Sequence, residues 1–359
     1  WLVPHFEKML YDNAQLLPLY ALAAVRTGDA LYREAAAGIV DWLMRDMITA
    51  DGAFAASEDA DSLDPHGRPE EGAFYTWIPA EVVAVLGEDA EEFAGLYDVA
   101  EAGNFEGRSI PNRLRSGFTS ARSALVAGML ERLRTARDRR PRPGRDDKIL
   151  ADWNGLAIAG LARAGTLLDA PEWIAAAHAV HRAVKRLLAD GDGLAHASRL
   201  GKVVRPGFAS DHAGMAIGAL ALVEAGVDDA ELLEDAARWV RRLRNDYVAE
   251  SGWLAMTPDT AADLPIRPAP TQDDALPNAN GLAVEACIRL FGLTGQPSWR
   301  DDADRLLDAL TPAILGNPFG HASLLNAFDL RLRRADIAVH AAPTDPLAVA
   351  ARSIPYPNR

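Results

Sequence analysis

One motif recurs three times in this chain at a single internal spacing. Asn13-Ala14, Asn154-Gly155 and Asn280-Gly281 each open an apolar run, and nineteen residues after each Asn stands an aromatic: Tyr32, Trp173 or Trp299. Between Asn and aromatic lies a short break, Thr27-Gly28-Asp29, Asp169-Ala170-Pro171 or Thr294-Gly295-Gln296-Pro297. Each copy predicts two helices joined by a tight turn, so the chain reads as an array of αα-hairpins. The repeated Asn is expected to cap the first helix of its pair.

Two kinds of helix alternate. The runs 155–168, 212–223 and 281–293 are nearly free of charge and rich in Ala and Gly, which predicts burial on most sides. The runs 31–47, 172–188, 229–247 and 297–310 are amphipathic, the first with Leu31, Ala35, Ile39, Trp42 and Met47 on one stripe. Buried helix followed by surface helix, repeated, predicts two concentric layers: an all-α fold, an (α/α)6 toroid over residues 1–335. Short segments after the outer helices (Gly52-Ala53-Phe54, Gly193-Leu194, Gly252-Trp253, Pro318-Phe319-Gly320) return the chain to the ring's mouth. An insertion over 51–115 breaks the repeat. It is expected to hold a β-hairpin near 52–77, pairing 52–56 with 72–77 across an acidic loop, and then short helices at 79–86 and 89–97. Residues 336–359 read as an extension, expected to be incomplete, with a strand at 337–339 and a helical turn at 346–351.

The formal charge of −14 argues against nucleic acid or an anionic membrane as the main partner. The one basic stretch, Arg132 to Lys148, is interleaved with Asp138, Asp146 and Asp147 and reads as a solvated helix end with its linker. Cys287 is the single cysteine, which excludes an intrachain disulfide or a thiolate-rich zinc site and suits a buried, inert thiol. Neither a signal peptide nor a membrane span is legible, so a cytoplasmic location is the expectation, although the chain opens at Trp1 without a methionine.

Several motifs carry a family resemblance. Val3-Pro4-His5-Phe6-Glu7-Lys8-Met9-Leu10-Tyr11-Asp12-Asn13, Ser57-Glu58-Asp59-Ala60-Asp61-Ser62, Glu71-Gly72-Ala73-Phe74-Tyr75-Thr76-Trp77, Asp146-Asp147-Lys148-Ile149-Leu150 and Trp153-Asn154-Gly155-Leu156 follow one another in order. With them the chain closely resembles the spermatogenesis-associated protein 20 family. The resemblance implies a six-hairpin, glycosidase-like toroid, a fold shared with glycoside hydrolases and with N-acylglucosamine and cellobiose 2-epimerases. It also implies a thioredoxin-like domain in full-length relatives, with a Cys-His-Trp-Cys-type motif that this chain lacks. Two further departures are Ser210-Asp211-His212-Ala213, where relatives have an Asp-Asp-Tyr-Ala-like entry, and an end soon after Tyr356, where relatives continue.

Three groups of residues suit chemistry. The acidic cluster Glu58, Asp59, Asp61, Asp64, Glu70 and Glu71 stands before Phe74, Tyr75 and Trp77. Carboxylates beside flat rings suit a sugar, and two carboxylates of different pKa would suffice for glycosidic cleavage. A calcium loop counted from Asp59 fails, because Leu63 and Asp64 stand where an oxygen ligand and a Gly are needed. His5, His212 and His321 fall at expected inner-helix entries, where a His pair could move a proton alpha to a sugar carbonyl. His178 and His181 share an outer-helix face and read as surface. Asp147 and Lys148, ahead of Asp152-Trp153-Asn154, form the third group. The expectation is therefore a toroid that binds or processes carbohydrate by acid–base chemistry of epimerase, isomerase or glycoside hydrolase type. Its catalytic candidates are His5, Glu58, Asp59, Asp61, Glu71 and His212. Its substrate-binding candidates are Glu7, Tyr75, Trp77, Asp147, Lys148, Trp153, Asn154, Asp211 and His321. A sugar-like small molecule is the expected ligand, without cofactor, metal, nucleic acid or membrane. The rival reading is a non-catalytic toroid scaffold partnering a thioredoxin-like module or another protein.

Overall fold

The computed structural model describes residues 2–64, 66–117, 123–261, 265–342 and 345–355, so Tyr356 lies outside the described residues. In chain order the helices are α1 (Leu10–Thr27), α2 (Ala30–Trp42), α3 (Pro79–Leu86), α4 (Ala90–Tyr97), α5 (Ala124–Arg137), α6 (Ala151–Leu168), α7 (Pro171–Leu188), α8 (Ala209–Glu224), α9 (Ala230–Arg242), α10 (Ala279–Thr294), α11 (Pro297–Gly316), α12 (Ala322–Arg333) and α13 (Pro346–Arg352). They divide between two compact units. The first comprises 1–9, 28–34 and 57–146; the second comprises 10–27, 35–56 and 147–359.

The first unit has its own core. Trp77, Val82, Leu86, Phe93 and Tyr97 pack on Met129 and Leu133 of α5. Three two-residue strands, β1 (Lys8–Met9), β2 (Ser57–Glu58) and a later strand at Arg145–Asp146, form an antiparallel sheet that sets Glu58 opposite both Lys8 and Arg145. Between them β3 (Asp61–Leu63) pairs with β4 (Pro69–Glu71). The later strand is β5. The hairpin thus lies inside the acidic loop and does not join 52–56 to 72–77. Its turn closes locally, because the Asp64 carboxylate accepts the backbone N–H groups of His66 and Arg68 and pairs with the Arg68 guanidinium at 2.8 Å. Part of the basic stretch is also structural. Arg140 donates to the carbonyls of Ala73, Phe74 and Thr76 and lies 4.0 Å over the Trp77 ring.

The second unit carries the repeat. Inner helices α1, α6, α8, α10 and α12 neighbour one another in that order, while α7, α9 and α11 pack outside α6, α8 and α10. Inner helices come close because Gly removes the side chain at the crossing: a Cβ on Gly160 would lie 2.6 Å from the Ala14 carbonyl oxygen, and one on Gly155 would collide with Gly214. Gly155 and Gly214 are the fifth residue of α6 and the sixth of α8, so those two N-termini lie side by side. All three predicted breaks separate a helix pair, between α1 and α2, α6 and α7, and α10 and α11. On α2 the buried stripe keeps Trp42 as expected, but Ala36 and Val40 face inward in place of Ala35 and Ile39.

Two of the three repeated Asn residues, Asn154 and Asn280, are latches and not caps. Asn154 Oδ1 accepts the Phe54 N–H at 2.9 Å and its Nδ2 donates to the Phe54 and Leu150 carbonyls, whereas the α6 N-cap, Leu150, has no side-chain bond. Asn280 Oδ1 likewise accepts the Leu254 N–H at 2.9 Å. Both returning segments leave an outer helix through a π-helical turn, Leu43–Met47 or Leu243–Tyr247, bridge Ile48 to Phe54 or Val248 to Leu254, and turn at Gly52 or Gly252 with φ of 83° and 90°. At these φ values a residue with a Cβ is strained.

Strands β6 (Ile149–Leu150), β7 (Ala189–Asp190), β8 (Gly193–Leu194), β9 (Ala197–Arg199) and β10 (Lys202–Val204) complete this unit, as a β10-β9-β6 sheet and a β7-β8 pair. No strand forms at 337–339, and α13 occupies the predicted turn near 346–351. His181 departs from its surface reading. It is 2% exposed beside Trp239, and neither ring nitrogen has a hydrogen-bond partner among the described residues. Burial pushes its pKa down to about 4, so it is neutral. Among the described residues no helix is long and apolar enough to cross a membrane.

Candidate functional site

Where α6 and α8 begin, three titratable side chains converge. Asp152 stands in the first turn of α6, Asp211 in the first turn of α8, and His196 in the turn between β8 and β9. Backbone pairing sets His196 in place: its N–H donates to the Val204 carbonyl at 2.9 Å, and its carbonyl accepts the Ala151 N–H at 3.0 Å. The imidazole is thereby held against the start of α6.

The Asp211 carboxylate binds His196 Nδ1 at 3.0 and 3.2 Å. It also accepts the Phe208 N–H at 2.6 Å and the Asp152 N–H at 3.2 Å. Asp152 accepts the Ser210 hydroxyl at 2.9 Å and the Trp153 N–H at 2.9 Å. Asp211 is fully buried, Asp152 is nearly so, and His196 is half-buried with its side chain 22% exposed. Its Nε2 has no partner among the described residues, so that nitrogen is the one group of the cluster available to a ligand.

Burial, and then the charge of Asp152, push the Asp211 carboxyl up to about 7. Burial likewise raises Asp152, against the pull of Ser210 and His196. Burial opposes the charged form of His196, but the bond to Asp211 and the charges of both carboxylates outweigh it and raise its pKa, with Lys148 acting in the opposite sense. Asp211 and His196 compete for one proton. The donors aimed at Asp211 favour its ionised form, so the imidazole is the member that gains and loses the proton.

A divalent ion is the other species that could neutralise this cluster. The ligand atoms of Asp152, His196 and Asp211 lie within 4.8 Å of one another. Binding it would break the Asp211–His196 bond and compete with donors that already occupy both carboxylates, so the arrangement fits proton transfer better. Beside the cluster, Trp153 is half-buried on a small apolar cluster of Ala56, Leu150 and Ala197, and meets the Tyr11 ring edge-on at 4.7 Å.

The sequence candidates separate. Asp147, Lys148, Trp153, Asn154, Asp211, His212 and His321 belong to the second unit; His5, Glu7, Glu58, Asp59, Asp61, Glu71, Tyr75 and Trp77 belong to the first. His212 requires correction as an acid–base group. Its Nδ1 donates to the Phe208 carbonyl at 2.9 Å and its Nε2 accepts the Leu194 N–H at 3.1 Å, so both nitrogens serve the backbone. Burial holds its pKa down to about 4. It takes the place that Asn154 and Asn280 hold elsewhere, latching the returning segment at Leu194. His321 is similarly engaged, by the Asn317 carbonyl and the Thr271 hydroxyl.

In the first unit, exposed His5 accepts the N–H of half-buried Glu7. Glu58 is buried and takes the Tyr75 hydroxyl at 3.3 Å, while Lys8 caps the Tyr75 ring at 3.5 Å. Trp77 is core under Arg140, which removes it as an open ring platform. Asp59 closes a turn by accepting the Asp61 N–H at 3.2 Å, and Asp61 faces Glu71 across β3 and β4, both exposed. The sequence reading missed His196 and did not include Asp152 among its site candidates. The Gly193-Leu194 return to the mouth was legible, and two residues further on stands the imidazole.

The fold is that of the six-hairpin, glycosidase-like (α/α)6 toroids. A sugar epimerase from a ruminal bacterium matches 85% of this chain and 61% of its own at a TM-score of 0.51, with 11% identity. Over nearly its whole length the chain is homologous to proteins named spermatogenesis-associated protein 20. It is 31% identical to spermatogenesis-associated protein 20 of Mus musculus over 385 residues and to that of Homo sapiens over 392, each match covering 94% of this chain and 46% of the relative. It therefore spans about half the length of the curated relatives it matches. No family model matches the chain.

Proposed function

We propose that the second unit binds a sugar-like ligand over Trp153 and moves a proton on it, with His196 as the acid–base group. The observation that carries this reading is the unpartnered Nε2 of an imidazole whose Nδ1 is held by a buried carboxylate. Such a pair fixes one tautomer and stabilises the imidazolium once the proton is taken. With an aldose or ketose, His196 Nε2 removes the proton alpha to the carbonyl. The electron pair moves onto the carbonyl oxygen as an enediolate, and return of a proton to carbon completes epimerisation or isomerisation. Asp152, held by Ser210, adds negative charge that favours the imidazolium, and Lys148 adds positive charge near the developing oxyanion. The half-buried Trp153 suits the apolar face of a sugar ring. The fold likeness to a sugar epimerase agrees with this ligand class, which rests on the chemistry of the side chains.

The test is solvent exchange. Aldoses and ketoses incubated with the protein in D2O should lose the alpha C–H signal in the proton NMR spectrum, and His196→Ala should slow that exchange by at least a hundredfold with the helical CD signal unchanged. Because Asp211 raises the pKa of His196, the rate of proton removal should climb with pH through that raised value. Asp211→Asn should lower the rate and move the climb to lower pH. Exchange that survives in His196→Ala overturns the assignment. No exchange and no sugar-dependent rise in melting temperature across the panel would leave the non-catalytic scaffold.

A further inference from the structure

Away from the Asp152–His196–Asp211 cluster, a cavity of about 330 Å³ opens between the end of α9, α10 and α11. Its floor is apolar and buried: Leu243, Leu254, Ala283 and Cys287 are each 2% exposed. Its rim is ionic. Buried Asp302 accepts Arg244 on one carboxylate oxygen, at 3.4 Å, and Arg305 on the other. Two guanidiniums share one carboxylate, so the rim carries a net positive charge. Arg244 spends its remaining bond on Asn245 and Arg305 on the Asp301 carbonyl, which leaves Arg244 Nη2 and Arg305 Nη1 without partners among the described residues. A guanidinium presents its N–H groups as a planar fork suited to a carboxylate.

We propose that this cavity binds a small amphiphile with one anionic head, a medium-chain carboxylate, its chain on the Leu243–Cys287 floor and its head between Arg244 and Arg305. The cavity lies within the ordinary size range for small-molecule pockets, and an apolar interior with a few polar groups at one end is their usual composition. The charge at the rim selects an acid over the matching alcohol. Cys287, the single cysteine, stands on the floor, where burial pushes its thiol pKa up, so its reaction with a small maleimide reports access to this cavity and to no other.

The experiment titrates the full chain with octanoate and, separately, with octanol, following binding by calorimetry and Cys287 labelling by mass spectrometry. Octanoate should bind at least tenfold more tightly than octanol and slow labelling at least tenfold. The double variant Arg244→Ala/Arg305→Ala should lose that preference while still taking octanol. Ala309→Trp, which fills the cavity from its rim, should abolish both. Equal affinity for acid and alcohol, no binding, or octanoate binding that persists in Ala309→Trp would each overturn the proposal. Because His196 lies outside this cavity, the outcome is independent of sugar turnover.

Discussion

Two histidines in the second unit show how placement decides chemistry. His212 and His196 both sit near the start of α8, yet His212 gives both nitrogens to the backbone and His196 keeps Nε2 free. Sequence pointed to the wrong one, because His212 stands at a legible helix entry whereas His196 lies in a strand turn that only the fold brings against a buried carboxylate. His181 is a third case, hidden by a helix face that looked solvated. Its pKa falls from 6.5 to about 4 on folding, so between those values the unfolded chain binds the proton that the folded one refuses. Stability from this group is therefore present above pH 6.5 and lost as pH falls toward 4. It should cost about 2 kcal/mol between pH 7 and pH 5. Urea unfolding of His181→Leu at both pH values should show that much less pH dependence than the parent. Parallel pH profiles would refute the assignment.

At the scale of elements, the returning segments were visible as Gly followed by an aromatic or aliphatic residue, and the latch was not. A spacing of nineteen residues reports a repeated unit and is silent on whether the Asn faces its own helix or its neighbour's loop. The structure answers with Asn154 on Phe54, Asn280 on Leu254 and His212 on Leu194. Removing a latch strands a buried N–H, which costs about 1–3 kcal/mol. Chemical denaturation of Asn280→Ala should show a loss of that size. His212→Asn, which restores the residue used elsewhere, should lose less than His212→Ala and should retain proton exchange on sugar. Equal losses in the two His212 variants would mean that the ring is needed for packing and not for the bond.

At the largest scale, the alternation of uncharged and amphipathic helices foretold the two layers, because burial on all sides and burial on one side leave different residue patterns. What it could not foretell is the interior of the ring. The second unit encloses a cavity of about 520 Å³ among its inner helices, and an ionic ladder crosses its wall. Glu285 pairs with Arg163 and Arg289 at 2.7 and 2.8 Å, and Arg289 reaches Glu224 at 2.7 Å. The ladder joins α6, α8 and α10. Burial alone would raise the Glu285 carboxyl, but the two guanidiniums outweigh it and hold it down to about 2. The ladder is thus intact above the ordinary carboxylate range and lost as pH falls toward 2. Glu285→Ala leaves two guanidiniums facing each other and should cost about 3 kcal/mol at pH 7, the lower end for a broken buried pair because the side chain borders the cavity. A loss under about 1 kcal/mol in urea titrations would show that the ladder is solvated.

The latch that closes the first hairpin bridges 100 residues, where its counterparts bridge 18 and 26. A closure that much longer costs only about 1.5 kcal/mol of chain entropy, since the penalty grows with the logarithm of length. The stretch after Phe54 is therefore a splice point. A foreign cassette could replace 57–146 there, and new termini could be opened in its place, provided Phe54 and Asn154 still meet.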